Sequence, residues 1–236
     1  MRNIQLIQGL PFKVNPIQDI TDTLPSRFPD PEQIRTAAQI THISVHHSGV
    51  EGGTIQGYAD YHVNTLKWGH IGYHIVIKGD QLFQTNDLLT FSYHTSSNNH
   101  YTIGISVSAD LTKRPMSDVE RNNLYAAILT VMDIFKIPPE NILGHNEYPD
   151  NNTSCPSTDM SRIRNDIKTI QNQMEYAKSD EFAKATAFTI ANQILYMANM
   201  LNGKMSDGKE ATEGQKAWAK AVLLDLSPFM KERGLL

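Results

Sequence analysis

The sequence holds a single cysteine, Cys155, so it has no intrachain disulfide framework. That excludes the small secreted scaffolds that depend on such bonds. It also lacks any run of Lys and Arg, and its net charge is −4 over 236 residues. No nucleic-acid partner is expected, because nothing supplies a phosphate footprint. No apolar stretch approaches the roughly 20 residues that cross a bilayer, so stable membrane insertion is not expected either. The opening MRNIQLIQGLPFKVNP is interrupted by Pro11 and Lys13 and has no long apolar core. Synthesis in the cytoplasm without a signal peptide is the expectation. The chain as a whole, 40% hydrophobic and 19% charged, has the composition of an ordinary globular protein.

Residues 1–30 are punctuated by Pro11, Pro16, Pro25 and Pro29 and predict an extended lead-in. Asp30-Pro31-Glu32 reads as a helix start, with a short helix through about Ala38. In ITHISVHHSGV, Ile43 and Val45 alternate with His42, Ser44 and His46, the period of a strand. Residues 55–67 suit a helix, IGYHIVIKGDQLFQT two strands turning at Gly79-Asp80, and YTIGISVSAD another strand. Ser117 and Glu120 form a capping-box pattern ahead of Leu124, Ile128, Val131 and Phe135 at helical spacing. This mixture predicts an α/β fold, a central, mostly mixed sheet flanked by helices, over residues 31–174. Residues 175–236 predict a small all-helical appendage: one amphipathic helix to Asn202-Gly203, a second from about Gln215, and a short last one opened by Ser227-Pro228. Wall binding and packing or oligomerisation are both open for it.

All nine histidines fall within the first 145 residues. His42, His62, His70 and His100 have no partner at useful spacing and read as ordinary polar residues. His46 and His47 are adjacent on a strand and point to opposite faces, so at most one of them joins a site with His145 and Cys155. Two imidazoles and a thiolate suit zinc and leave a fourth position for water or substrate. On the residues alone, a structural zinc site closed by a further His and an inert buried thiol beside a surface histidine remain alternatives.

The segments ISVHHS, GYHIVI, SYHTSSNNHYTIGIS and GHNEYPDNNTSCP, in this order and spacing, resemble the zinc-dependent N-acetylmuramoyl-L-alanine amidases, a superfamily of phage amidases and peptidoglycan recognition proteins. The resemblance covers roughly residues 38–170 and leaves out the lead-in and the helical tail. It implies one zinc ion held by His46, His145 and Cys155, with Tyr73 of the GYH motif as the active-site tyrosine. Thr153, two residues before the cysteine, stands where other members carry Lys or Thr, and His94 and Asn99 match the H-x4-N that lines the substrate groove. Ser106 departs from the pattern, since many members have Glu there, and no acidic role is assigned to it.

What the resemblance implies is hydrolysis of the amide between N-acetylmuramic acid and L-alanine in bacterial peptidoglycan. Zinc would acidify water and polarise the carbonyl, while Tyr73 stabilises the oxyanion or handles a proton. Thr153 would donate a hydrogen bond, and His94 and Asn99 would orient substrate. A phage or prophage endolysin that reaches the wall after holin-type release is the leading expectation. A non-catalytic recognition module and a cytoplasmic muropeptide-recycling amidase are the rivals. Cys155 favours catalysis, because binding-only members typically lack that ligand.

Overall fold

The computed structural model describes residues 1–27, 34–205 and 207–232. Of the helix expected from Asp30 to about Ala38, residues 30–33 fall outside the described residues, and the rest does not form it: Ile34 makes an isolated bridge with Thr90, and only a single 3-10 turn, Ala37–Gln39, follows. The chain divides into two compact units, Met1–Asn172 and Gln173–Leu236.

The first unit is built on a six-stranded sheet. In chain order the strands are β1 (Ile17–Asp19), β2 (His42–His47), β3 (Ile75–Lys78), β4 (Gln81–Gln84), β5 (Thr102–Val107) and β6 (Ile142–Gly144). Their spatial order is β1-β4-β3-β5-β2-β6. Only the β3–β4 hairpin is antiparallel, which makes the sheet mixed. That hairpin turns at Gly79, whose φ of +58° favours a residue without Cβ. The proline-rich N-terminal segment is not only a lead-in: its β1 pairs in parallel with β4 at the sheet edge.

Alternation along the strands sorts the two faces. Ile43, Val45, Ile103, Ile105, Ile75 and Ile77 are fully buried. The helix α2 (Asp118–Phe135) packs against β3, β4 and β5. It begins as expected, with Ser117 and Glu120 capping each other, and ends at Lys136, which takes a left-handed φ of 56°. The helix α3 (Met160–Ala177) joins it through Tyr125, whose hydroxyl donates to Asp166 at 2.6 Å. The other face carries Ser44 and His46 on β2, with Ser106 beside His46 on β5 and Val76 beside Ser106 on β3. There the short helix α1 (Ile55–Asp60) seats Ile55 and Ala59 on Ile71 and Val76. It continues as a π-turn over Tyr61–Thr65.

In the second unit, α4 (Asp180–Leu201) and α5 (Glu213–Glu232) meet around Met197, Met200, Ala211 and Ala219. The separate last helix expected at Ser227-Pro228 does not form, since α5 runs through both residues. Pro228 removes one backbone donor, and the turns on either side continue the helix.

Candidate functional site

Three chain segments converge at one end of β2. His46 arrives on the strand itself and is 2% exposed. His145 follows β6, the strand next to β2. Cys155 comes from the loop after it, which is folded back on itself: Asn146 N–H donates to the Cys155 carbonyl at 2.8 Å. The loop is anchored beneath β2 by Tyr148, whose hydroxyl donates to the Ile43 carbonyl at 3.0 Å. Gly144 permits this closure, because a Cβ there would lie 2.7 Å from Pro156 Cδ and 2.9 Å from Met160 Cγ.

The donor atoms of His46, His145 and Cys155 all lie within 4.8 Å of one another. Ligands about 2.0–2.3 Å from one tetrahedral zinc stand roughly 3.5 Å apart, so these side chains are gathered on the right scale. Hydrogen bonds also fix which ring nitrogens face inward. His46 Nε2 lies 2.9 Å from Ser44 Oγ and 3.2 Å from His94 Nδ1, while its Nδ1 lies 3.7 Å from Cys155 Sγ. His145 Nε2 lies 2.8 Å from Asn151 Oδ1. That amide is oriented by Ser96 Oγ donating to its oxygen at 3.0 Å and by its own Nδ2 donating to the Pro149 carbonyl at 2.9 Å. An amide oxygen only accepts, so the His145 proton sits on Nε2 and the lone pair is left on Nδ1.

The electrostatics suit a cation. Burial, with His94 and His145 alongside, holds the His46 imidazole well below its ordinary pKa, in the neutral form that ligates. Burial also lowers His145, against the Asn151 hydrogen bond. The Cys155 thiol, 9% exposed, is pushed up to about 11 by burial, so it needs a nearby positive charge to ionise at neutral pH. His47 stands apart from the set: its Nδ1 accepts from Leu111 N–H at 2.9 Å.

A cleft of about 240 Å³ opens over these three residues, and Tyr73, His94, His62, Trp68 and Tyr93 line it. The Tyr73 ring lies 5.4 Å from that of His46. Burial, and then the Cys155 sulfur, raise its phenol pKa, so the hydroxyl stays protonated at neutral pH. The His94 ring stands edge-on to His46 at 5.2 Å, and burial, His74 and Arg35 hold it neutral. The Thr153 side chain is exposed, and its Oγ1 accepts from Cys155 N–H at 3.1 Å, which leaves the hydroxyl proton free to donate.

Asn99 differs from its expected place. It does not line the cleft: it is 4% exposed, and its Oδ1 accepts from the His94 and Thr95 N–H groups at 2.9 and 2.7 Å. It shapes the loop that carries His94. Conversely, His62, read from sequence as an ordinary polar residue, stacks on Trp68 at 4.7 Å and forms a wall of the cleft. Its Nδ1 accepts from Gly72 N–H at 3.1 Å, and burial lowers its pKa to about 4. Its spacing from Trp68 in the sequence offered no signal of this role. A larger cavity of about 800 Å³ shares Tyr93 with this cleft but contains none of the three candidate ligands.

Residues 36–158, just over half of the chain, match the family described as N-acetylmuramoyl-L-alanine amidase, Amidase_2. No curated protein sequence matches significantly. Among solved structures, the endolysin N-acetylmuramoyl-L-alanine amidase LysCS from Clostridium intestinale URNW aligns with a TM-score of 0.56 at 18% identity, covering 66% of this chain and 97% of that one. The Ph2119 endolysin of Thermus scotoductus MAT2119 bacteriophage Ph2119 aligns at 0.53 and 16% identity, covering 63% and 97%. Wild-type Drosophila PGRP-LB aligns at 0.52 and 19%, covering 64% and 92%. At these identities the likeness shows a shared fold. The family match goes further: this chain belongs to the N-acetylmuramoyl-L-alanine amidase family.

Proposed function

We propose that the chain is a zinc-dependent hydrolase that cleaves the amide between N-acetylmuramic acid and L-alanine in bacterial peptidoglycan. The observation that carries this reading is the convergence of His46, His145 and Cys155 at the floor of an aromatic-walled cleft. No fourth His, Cys, Asp or Glu joins the group among the described residues, as suits a site that keeps a position open. When bound there, a zinc ion supplies Lewis acidity, acidifying water and polarising a carbonyl.

The chain's own residues supply the rest. Tyr73, protonated and beside His46, donates a hydrogen bond to the oxyanion that develops on the scissile carbonyl. Thr153 is exposed two residues before Cys155 and is not among the residues that line the cleft; a hydrogen bond from it would be uncharged and weaker than a lysine's. His94 is neutral and lies 3.2 Å from His46 Nε2, so it orients that ligand and borders the substrate rather than serving as the main acid. His62, Trp68 and Tyr93 offer aromatic faces to sugar or peptide.

The family match and the endolysin structures that share the fold support a lytic role for phage or prophage. Access to the wall after holin-type release is part of that proposal. A second reading, peptidoglycan recognition without cleavage, has support from the recognition-protein structures that share the fold. Cys155 at the metal-ligand position argues for cleavage. Digestion of purified peptidoglycan with product mass analysis, with and without chelator, separates the two. New L-alanine amino termini that vanish on chelation support the amidase; wall binding without release refutes it. Comparing wall adsorption of the full chain and of residues 1–174 assigns residues 175–236 to wall binding or to packing and oligomerisation.

A further inference from the structure

The side chains that face the cleft from the segment between β4 and β5 sit on a loop whose two ends are fastened by one residue. Arg35 is 4% exposed. Its Nη2 donates to the Leu88 carbonyl at 2.9 Å, and its Nη1 donates to the carbonyls of Asn99 at 2.8 Å and Thr102 at 2.5 Å. Its backbone N–H donates to the Leu89 carbonyl at 2.7 Å. Leu88 and Leu89 open the segment, and Asn99 and Thr102 close it.

Between these ends the segment is pinned to the stretch that leads into β3. Ser92 Oγ donates to the Ile71 and Gly72 carbonyls at 3.0 and 2.8 Å. The side chain of Asn99 holds the backbone at His94 and Thr95. The His94 ring lies directly over β5, where a Cβ on Gly104 would come within 2.9 Å of its Cγ. His94 Nδ1 then reaches His46 Nε2 at 3.2 Å.

Burying a guanidinium against neutral carbonyls and the His74 ring, whose Nε2 lies 2.9 Å from Arg35 Nη2, carries a large desolvation cost, and an apolar side chain would fill the space at less cost. What a guanidinium alone provides is five donors in one rigid plane. Here that plane bridges the opening and the closing of the same loop.

We propose that Arg35 is a positioning residue of the amidase site: by tying Leu88 to Asn99 and Thr102 it sets the loop that holds His94 against the ligand His46. The catalytic part of this inference rests on the amidase reading above. A lysine keeps the charge but concentrates its donors on one nitrogen, so it does not span both ends.

Two measurements on the full-length protein test it. Hydrogen exchange of Arg35→Lys should show the His94 and Thr95 amides losing protection by about tenfold or more, with the Val45 and Ile105 amides of the central strands little changed. If Arg35→Lys fails to fold, Arg35→Gln takes its place. A double-mutant cycle with His94→Ala, on a soluble muropeptide with zinc present, should show Arg35→Lys lowering kcat about tenfold in the parent and less than about twofold once His94 is gone. Equal loss of protection in loop and sheet, or the same fold-loss in both backgrounds, overturns the proposal and leaves Arg35 as a fold-stabilising residue. A parent protein that does not cut muropeptide defeats the amidase reading instead, and hydrogen exchange then decides whether Arg35 sets the loop.

Discussion

Cys155 Sγ lies 3.7 Å from His46 Nδ1, although 109 residues separate the two in sequence. The contact follows from the sheet order, which puts β6 beside β2, and from the loop that turns Cys155 back toward His145. With its proton on, a buried thiol is a poor partner for a neutral imidazole; as a thiolate it completes a zinc ligand set. Cys155→Ser should therefore reduce zinc retention by more than the roughly 10–100-fold that loss of an outer-shell partner costs. Activity should fall with it. Metal analysis after gel filtration, paired with wall digestion, reads both, and a Ser variant that kept full zinc and full activity would remove Cys155 from the site.

Tyr73 should behave differently. Its phenol stays protonated at neutral pH and its ring lies 5.4 Å from that of His46. Tyr73→Phe is expected to keep the fold and the zinc while lowering kcat by about 10²–10³-fold, the scale for one oxyanion donor. KM should move little. Steady-state kinetics on a soluble muropeptide make the check, and a change confined to KM would assign Tyr73 to binding alone.

The N-terminal segment carries an acid-sensitive tie. Burial would raise the Asp19 carboxyl, but Arg2 and the N–H groups of Asn3 and Thr21 hold it at about 2. A depressed carboxylate pKa contributes stability above the unfolded value, and that contribution is lost as pH falls from about 4 through 2. The shift from 3.8 corresponds to about 2 kcal/mol for a side chain 5% exposed. Asp19→Asn should cost about that much at pH 7, and the gap from the parent should close as the pH approaches 2. Denaturant titrations across that range decide it, and a gap that does not change with pH would rule out the ionised tie.

Much of the fold was legible because strands and helices here follow their periods. Ile43 and Val45 alternate with Ser44 and His46, and the Ser117–Glu120 box sits where α2 starts. The proposed ligands were legible for another reason, since the motif order carries them through the resemblance. What local pattern did not carry was long-range pairing. β1 is three residues with no alternation to read, and it exists because β4 offers an open edge. Arg35 looks like any helix-surface arginine in sequence, and only the fold brings Leu88, Asn99 and Thr102 around it. Asn99 was expected in the groove because the motif gives its spacing from His94 and not the direction of its side chain. Pro228 shows the reverse error, a local stop signal overridden by a helix that continues past it.

Asn151 had no such signal in the sequence, yet it controls a ring nitrogen of the site. Its Oδ1 accepts from His145 Nε2 at 2.8 Å, which puts the proton there and leaves Nδ1 as the donor toward the gathered set. Without that acceptor the imidazole is free to move its proton to Nδ1 and to turn, and either change removes a ligand lone pair. Asn151→Ala should weaken zinc binding by about 10–100-fold, the usual range for an outer-shell partner of a metal-bound histidine. Asn151→Asp keeps an acceptor at the same reach and should recover most of the affinity. Competition with a chromophoric chelator measures all three proteins. Equal affinity in the parent and the Ala variant would show that His145 needs no orienting partner, whereas loss in Ala with recovery in Asp ties the effect to the acceptor oxygen itself.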